Sequence, residues 1–159
     1  MSEIFSSHLE WTGAAKGPTH DPATFSRDLR MLVANATVPM SSAPAYRGDP
    51  SRANPEQLFV AALSACQALT YLALAARKRV AVVSYSDDAQ GELKVVDGKV
   101  RMSGVTLHPR ITLDAGTNEA QARELVEKAH EHCFIANSVS TPVEIMPTFE
   151  FAEALAGAR

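Results

Sequence analysis

Apolar and polar positions along the chain follow two periods, which predict helices and strands in an irregular order. Two segments, residues 55–79 and 118–133, carry apolar residues at helical spacing. Elsewhere the apolar positions tend to alternate with polar ones, as in half-buried strands. The predicted strands cover residues 3–13, 24–35, 80–85, 89–96, 99–113 and 142–151. Since strands and helices do not alternate regularly, we predict an α+β fold in a single domain, residues 1–159.

The first predicted helix has clear start and stop signals. Asn54 can cap it, Pro55 is a favoured first helical residue, and Gln57 completes a capping box. Arg77-Lys78-Arg79 complements the carbonyl end. The helix is apolar on nearly every side, so we expect it to be buried all round. A sheet would cover one face, and another helix, from this chain or a second copy, would cover the other.

Turn residues mark the remaining boundaries. Three prolines and a glycine within residues 38–52 argue against a long regular element, so we predict a loop there. Asp97-Gly98 predicts a two-residue hairpin turn, and Gly104 a bulge in the strand that follows. Asp87-Asp88 has the composition of a turn, and Thr117 is the expected N-cap of the second helix.

Composition and charge narrow the classes of function. The chain is 46% hydrophobic and 21% charged, with a formal net charge of −3, so it lacks the basic surface typical of nucleic-acid binding. Polar residues interrupt the long apolar segment, which suits a core helix better than a membrane span. The first residues show no signal-peptide pattern, so we expect a cytoplasmic protein whose cysteines rest reduced.

The candidate chemistry centres on the two cysteines of the chain, Cys66 and Cys133, each in an apolar helical segment. A cysteine in such a segment is usually a small packing residue, and a reactive one needs a lowered pKa. The helix around Cys66 supplies no cation, so an activating charge would come from elsewhere. Arg47 and Arg52 in the preceding loop are the candidates.

Two neighbouring features raise further possibilities. Glu56 lies ten residues before Cys66, about 15 Å along one helix, so the two can meet only if a second copy packs antiparallel. Otherwise Glu56 simply suits the helix dipole. His130 and His132 precede Cys133, but histidines two apart on a helix point to different faces, and the spacings typical of zinc sites are missing. We predict no metal and no cofactor.

Two segments together resemble the OsmC/Ohr family of osmotically inducible and organic hydroperoxide resistance proteins. The first is Asn54-Pro-Glu-Gln-Leu-Phe with Cys66 ten positions after Glu56. The second is Ala129-His-Glu-His-Cys-Phe-Ile-Ala-Asn-Ser138, which places Cys133 well downstream of Cys66. The resemblance extends from about residue 46 to the C-terminus. It implies an intertwined α+β homodimer, with antiparallel sheets wrapped around two long central helices and two sites at the interface.

The resemblance also implies an activity and roles for four residues. Family members with both cysteines are thiol-dependent peroxidases for organic hydroperoxides, usually reduced by dithiols such as lipoyl groups. Cys66 matches the peroxidatic cysteine, and Cys133 matches the resolving cysteine that forms a disulfide with it. Glu56 matches the acid that holds an arginine against the thiolate. For that arginine we choose Arg47.

Two departures from the family pattern leave alternatives open. Arg52, Arg27 and Arg30 could replace Arg47 in the site. Gln67 follows Cys66 where characterised peroxidases commonly have an aromatic residue, and it could change the polarity of the site or bond to the sulfur or substrate. The alternatives to a peroxidase are therefore a non-catalytic dimer that binds an apolar small molecule, or an oxidant sensor.

Overall fold

The structure, a computed structural model, describes residues 2–153, which contain nine strands and two α-helices. The chain forms two compact units, the first ending at Leu58 and the second beginning at Phe59. The predicted α+β class is confirmed, while the single-domain prediction stays a prediction. The strands are β1 His8–Glu10, β2 Leu29–Val33, β3 Ala36–Met40, β4 Val82–Asp87, β5 Gln90–Val96, β6 Lys99–Leu107, β7 Pro109–Leu113, β8 Val143–Ile145 and β9 Thr148–Phe151. The helices are α1 Pro55–Lys78 and α2 Glu119–Glu131.

The first unit contains an antiparallel sheet in the order β1-β2-β3. Its first two strands are shorter than the predicted 3–13 and 24–35. The prediction of a loop over all of residues 38–52 is wrong at its start, because β3 extends to Met40 and includes Pro39. A proline fits there because β3 is an edge strand, where one missing N–H need not interrupt a ladder on both sides.

Helix α1 begins with the predicted capping box. The Gln57 N–H donates to Asn54 Oδ1 at 2.9 Å, and the Asn54 N–H donates to Gln57 Oε1 at 3.1 Å. These bonds satisfy backbone donors that a helix start leaves unpaired. The basic residues Arg77 and Lys78 occupy the last turn, as predicted.

The expectation that α1 is buried all round is wrong for the single chain. Its buried residues form one stripe, Leu63, Gln67, Tyr71 and Ala75, which lies on one helical face. On the other side Leu69 is 70% exposed, because the described chain supplies cover for one face. By length and composition α1 could also cross a membrane, a test that core helices of soluble proteins pass too.

The second unit has two three-stranded sheets, in the orders β4-β7-β9 and β5-β6-β8. Two predicted strands are wrong in extent. Each is divided into two strands at the point where the chain leaves the β5-β6-β8 sheet and enters the β4-β7-β9 sheet. Residues 99–113 divide at His108, and residues 142–151 divide at Met146-Pro147. The pairs β6–β8 and β7–β9 are parallel, whereas the others are antiparallel, so the sheets are mixed.

The four local predictions at turns, a bulge and a helix start have different outcomes. Asp97 and Gly98 form the hairpin turn with φ of 53° and 75°, the positive values that a type I′ turn requires. The pairing of β5 with β6 shifts register opposite Gly104, confirming the bulge. The N-cap of α2 is Asn118 rather than Thr117, since its side chain accepts from the Gln121 N–H. Asp87 is also not a turn residue: it ends β4.

The main core of the second unit lies between the two helices and the β4-β7-β9 sheet. Tyr71 and Ala75 from α1 pack there with the apolar stripe of α2 and with Ile111 and Leu113 from β7. The predicted stripe of the second helix is buried throughout: Ala122, Leu125, Val126, Ala129 and Cys133. Because α2 packs beside α1, its C-terminal end reaches the middle of α1, where Cys66 lies.

Candidate functional site

The structure brings Cys66 and Cys133 together within the second unit. Cys66 is half-buried in the middle of α1, and Cys133 is buried two residues after the last residue of α2. Neither is in a disulfide, and the two side chains share a hydrogen bond. The pair is therefore placed for sulfur–sulfur chemistry, while the catalytic roles assigned to it stay predictions.

The turn after α2 supplies further donors to the Cys66 sulfur. The backbone N–H groups of Phe134 and Ile135 both bond to it. Those N–H groups are available because the helix has ended before them. The turn itself is closed by a hydrogen bond from the Asn137 N–H to the Cys133 carbonyl oxygen at 3.0 Å. The Ala136 N–H lies 3.5 Å from Cys133 Sγ. A single turn therefore directs backbone donors at both sulfurs.

These contacts shift the pKa values of the two thiols in opposite directions. Burial by itself raises the pKa of Cys66, but the hydrogen bonds from Cys133 and from the Ile135 and Phe134 N–H groups outweigh it and lower the pKa below its ordinary value. Burial, and then the bond that Cys133 donates to Cys66, raise the pKa of Cys133. Cys66 is therefore the better thiolate, and Cys133 the proton donor beside it.

We expect Cys66 to be alkylated by iodoacetamide at lower pH than Cys133, because the thiolate is the reactive form. Mass spectrometry of the two cysteine peptides after brief labelling across a pH series measures this order. In Cys133→Ala the thiol donor is lost, so the pKa of Cys66 should rise and its labelling should shift to higher pH. Equal labelling of both cysteines at every pH would contradict the assignment.

Glu56 occupies the second position of α1, in the first unit, and is half-buried. One of its carboxylate oxygens, Oε2, is buried and accepts no hydrogen bond from the described residues. A buried acceptor without a donor is costly, by about 1–3 kcal/mol. Glu56 therefore has an unfilled place for a donor such as a guanidinium, which is what its predicted role requires.

The four candidate arginines all lie in the first unit and differ in their partners. Arg27 donates to the Phe25 and Pro22 carbonyl oxygens at 3.0 and 2.8 Å. Arg30 pairs with Glu10, and Arg52 lies 3.3 Å from Asp49 and 3.7 Å from Asp28. Arg47 is exposed, and its guanidinium makes no hydrogen bond or ion pair to a residue between 2 and 153. Among the candidates it is therefore the one whose guanidinium is not already engaged.

A cavity of about 400 Å³ in the first unit is lined by several basic and acidic residues, including three of the four candidate arginines. Lys16, Arg27, Arg47 and Arg52 contribute positive charge, and Asp28 and Asp49 contribute negative charge. The Lys16 side chain bonds to Asp28 and, against the effect of burial, lowers the pKa of that carboxyl. Arg47 and Glu56 belong to the first unit, and the two cysteines belong to the second.

Gln67 does not act as expected from its position next to Cys66. Its side chain is 1% exposed, and Nε2 donates to the Val126 carbonyl oxygen of α2 at 3.1 Å. It therefore joins the two helices rather than bonding to the sulfur. His132 has a plain role at the helix end, where its Nδ1 lies 2.7 Å from Lys128 O, whereas His130 Nδ1 is buried with no hydrogen-bond partner among the described residues. Within residues 2–153 no cluster of His, Cys, Asp or Glu is arranged to hold a metal.

Sequence reasoning missed the backbone donors of Phe134 and Ile135 and the helix contact of Gln67. Backbone N–H groups leave no side-chain signature, although the end of a helical pattern just before Cys133 shows where free donors occur. The signal for Gln67 was stronger. A lone amide on the buried face of an apolar helix needs a partner, and the neighbouring helix supplies it.

Comparisons with known proteins give consistent results. A profile described as OsmC-like protein matches residues 48–147. An OsmC-like protein of unknown function from Vibrio cholerae is 32% identical, with a TM-score of 0.83 over 93% of this chain and 100% of that one. No curated protein matches.

More distant solved structures share the fold. An organic hydroperoxide resistance protein from Legionella pneumophila is 21% identical, with a TM-score of 0.68 over 93% of this chain and 97% of that one. The organic hydroperoxide resistance protein OhrB of Bacillus subtilis is 20% identical, with a TM-score of 0.62 over 94% of this chain and 98% of that one.

Proposed function

Because the chain belongs to the OsmC-like protein family, we propose that it is a thiol-dependent peroxidase that reduces organic hydroperoxides. One observation carries the proposal: the Cys66 thiol, whose hydrogen bonds lower its pKa, shares a hydrogen bond with the thiol of Cys133. A nucleophile and a resolving group are thereby adjacent. The names of the Legionella and Bacillus structures agree with this choice of substrate.

The proposed cycle has three steps. The Cys66 thiolate attacks one peroxide oxygen, the O–O bond breaks, and the leaving alkoxide takes a proton to become an alcohol. Cys66 is left as a sulfenic acid. The Cys133 sulfur then attacks the Cys66 sulfur, the S–O bond breaks, and the oxygen leaves as water. A dithiol reduces the resulting disulfide by thiol–disulfide exchange and is itself oxidised to a disulfide.

Arg47 and Glu56 have supporting roles in this proposal. The guanidinium of Arg47 stabilises the thiolate and the negative charge on the leaving oxygen. Glu56 orients it by accepting its N–H groups at the buried carboxylate oxygen that lacks a donor. The proposal requires both groups to be brought to Cys66. Glu56 lies about 15 Å along the helix axis from the Cys66 of its own chain, so in this proposal it serves the Cys66 of a second copy.

A homodimer is therefore part of the proposal, and the surface of α1 supports it. Away from its buried stripe the helix exposes Ala62, Ala65, Leu69, Leu72 and Ala76. Their spacing of three and four residues forms one continuous apolar face. A long uncovered apolar face marks an interaction surface, and a second α1 packed antiparallel would cover it with its own identical face.

Leu69→Glu should prevent this dimer from forming, because it places a charge on the shared apolar face. Leu69 is 70% exposed in the single chain, so the variant monomer loses little packing of its own. Sedimentation or light scattering should give a dimer for the wild type and for Leu69→Met, and a monomer for Leu69→Glu. A monomeric wild type would contradict the shared site.

Arg47→Ala should slow peroxide reduction by about 10²-fold, the usual effect of removing one group that stabilises transition-state charge. The folding free energy should change little, since the Arg47 side chain is exposed and its guanidinium has no partner among the described residues. Matched controls are the same substitution at the other candidates, Arg27→Ala, Arg30→Ala and Arg52→Ala. These variants should lower the folding free energy more than the rate of peroxide reduction. Stopped-flow rates beside denaturant unfolding separate the two effects. If one of these variants lost the activity instead, the choice of Arg47 would be wrong.

The surroundings of Cys66 support the proposed substrate. The side chain of Phe134 is 81% exposed beside the N–H that bonds to the Cys66 sulfur, and Ile135 is also exposed. Apolar side chains at the sulfur favour an alkyl or fatty-acid-type hydroperoxide over hydrogen peroxide. We propose a lipoyl-type dithiol as the reductant and the cytoplasm as the location, where free thiols rest reduced.

Steady-state turnover with a recycled lipoyl dithiol tests the function. We expect sustained reduction of cumene hydroperoxide, much slower reduction of hydrogen peroxide, and weak support by monothiols such as glutathione, because a dithiol completes the exchange within one molecule. Turnover no faster than the dithiol alone would overturn the peroxidase proposal. It would favour a dimer that binds an apolar ligand at the same surface.

A further inference from the structure

Gln67 is a fully buried amide that links α1 to α2. Its side chain is 1% exposed, and its Nε2 donates to the Val126 carbonyl oxygen at 3.1 Å. The buried side chains of α2 in this core are apolar, such as Leu125 and Ala129. Apolar packing is not directional, whereas a hydrogen bond defines where one helix lies along another.

The position of this link relates it to the cysteine pair. Gln67 directly follows Cys66 on α1, and Val126 lies about two helical turns before Cys133 on the same face of α2. The Gln67–Val126 bond and the Cys66–Cys133 contact therefore join the same two helices at separate levels. Sliding or rotation of α2 that separates the sulfurs would also break the hydrogen bond from Gln67 to Val126.

Stability does not account for an amide at this position. The second polar atom of Gln67, Oε1, is buried and has no hydrogen-bond partner within residues 2–153. The net gain from one neutral hydrogen bond is no larger than the cost of an unpaired buried oxygen. An apolar side chain of similar volume, such as methionine, would be at least as stable there.

We infer that Gln67 is a positioning residue that holds α2 in the register at which Cys133 can bond to Cys66. The inference rests on the proposed peroxidase cycle and concerns its second step, in which the Cys133 sulfur attacks the sulfenic acid of Cys66 and water leaves. Gln67 touches neither reacting sulfur. It acts by keeping the resolving cysteine close, which raises the effective concentration of one thiol at the other.

The experiment compares Gln67→Met with the wild type and with Tyr71→Phe. Tyr71 is the next buried residue on the same stripe of α1, and its hydroxyl has no partner among the described residues, so Tyr71→Phe removes a buried polar atom without removing a hydrogen bond. Equilibration with mixtures of oxidised and reduced dithiothreitol gives the stability of the Cys66–Cys133 disulfide. We expect about a tenfold loss in Gln67→Met, which is about 30 mV for a two-electron couple.

Tyr71→Phe should keep the wild-type equilibrium, and the unfolding free energy of reduced Gln67→Met should equal or exceed that of the wild type. A wild-type equilibrium in Gln67→Met would overturn the inference and leave the peroxidase cycle intact. If the wild type itself formed no Cys66–Cys133 disulfide, both would be overturned. Gln67→Leu, which also removes the donor, should show the same loss and replaces Gln67→Met if that variant does not fold.

Discussion

Cys66→Ser should abolish rapid oxidation of the protein by organic hydroperoxides, with a loss of about 10³-fold or more. A serine hydroxyl is not ionised near neutral pH, so it cannot act as the nucleophile that attacks the peroxide oxygen. The remaining thiol, Cys133, is a poor substitute because burial and the neighbouring group raise its pKa. Stopped-flow measurement of peroxide consumption under single-turnover conditions gives the rate directly.

The fold of Cys66→Ser should be preserved, because the replaced side chain is of similar size and half-buried. Circular dichroism and denaturant unfolding provide this control. If Cys66→Ser consumed cumene hydroperoxide at the wild-type rate while Cys133→Ser did not, the two roles would be reversed. The acidities of the two thiols would then have been assigned wrongly.

Cys133→Ser should leave the first oxidation fast but stop the cycle at a sulfenic acid. The serine hydroxyl can still donate a hydrogen bond to the Cys66 sulfur, and the Phe134 and Ile135 N–H groups remain, so the pKa of Cys66 should stay low. Without a second sulfur no disulfide can form. Dithiol-dependent turnover should fall to the rate at which the reductant itself attacks the sulfenic acid.

Trapping with dimedone, followed by mass spectrometry, identifies the sulfenic acid on Cys66 in this variant. In the wild type the same treatment should yield the Cys66–Cys133 disulfide with little trapped product. Formation of a disulfide between the Cys66 residues of two chains, rather than with Cys133, would contradict the resolving role.

The parts of the fold that local chemistry determines were predictable from sequence. Asn54 and Gln57 cap each other through contacts three residues apart, and Asp97-Gly98 adopts the positive φ values of its turn. The stripe that ends at Cys133 also packs as its spacing predicts, because helical periodicity fixes which residues share a face. These features depend on few residues close in sequence.

The features that sequence reasoning missed depend on distant parts of the chain. Whether Pro39 belongs to a strand depends on its neighbour β2, and the division of residues 99–113 depends on a change of sheet at His108. The exposed face of α1 has the same kind of explanation. An apolar helix pattern shows that a face needs cover, but it does not show whether this chain supplies that cover.

The candidate site also has one part that could be predicted from the sequence and one part that could not. The proximity of Cys66 and Cys133 followed from the resemblance, and the structure adds how it is achieved, through the turn at Phe134 and Ile135. The choice among the arginines could not be made from spacing. It depends on which guanidinium is already bonded, and those bonds reach side chains and carbonyls brought close by the fold.

Single-turnover oxidation of the reduced wild-type protein by cumene hydroperoxide and by hydrogen peroxide tests the central claim most directly. Free thiols are counted against time, and the products are mapped by mass spectrometry. We predict rapid loss of both thiols with the organic peroxide, much slower loss with hydrogen peroxide, and a Cys66–Cys133 disulfide as the product. Oxidation by both peroxides at the rate of a free thiol in solution would contradict the peroxidase assignment.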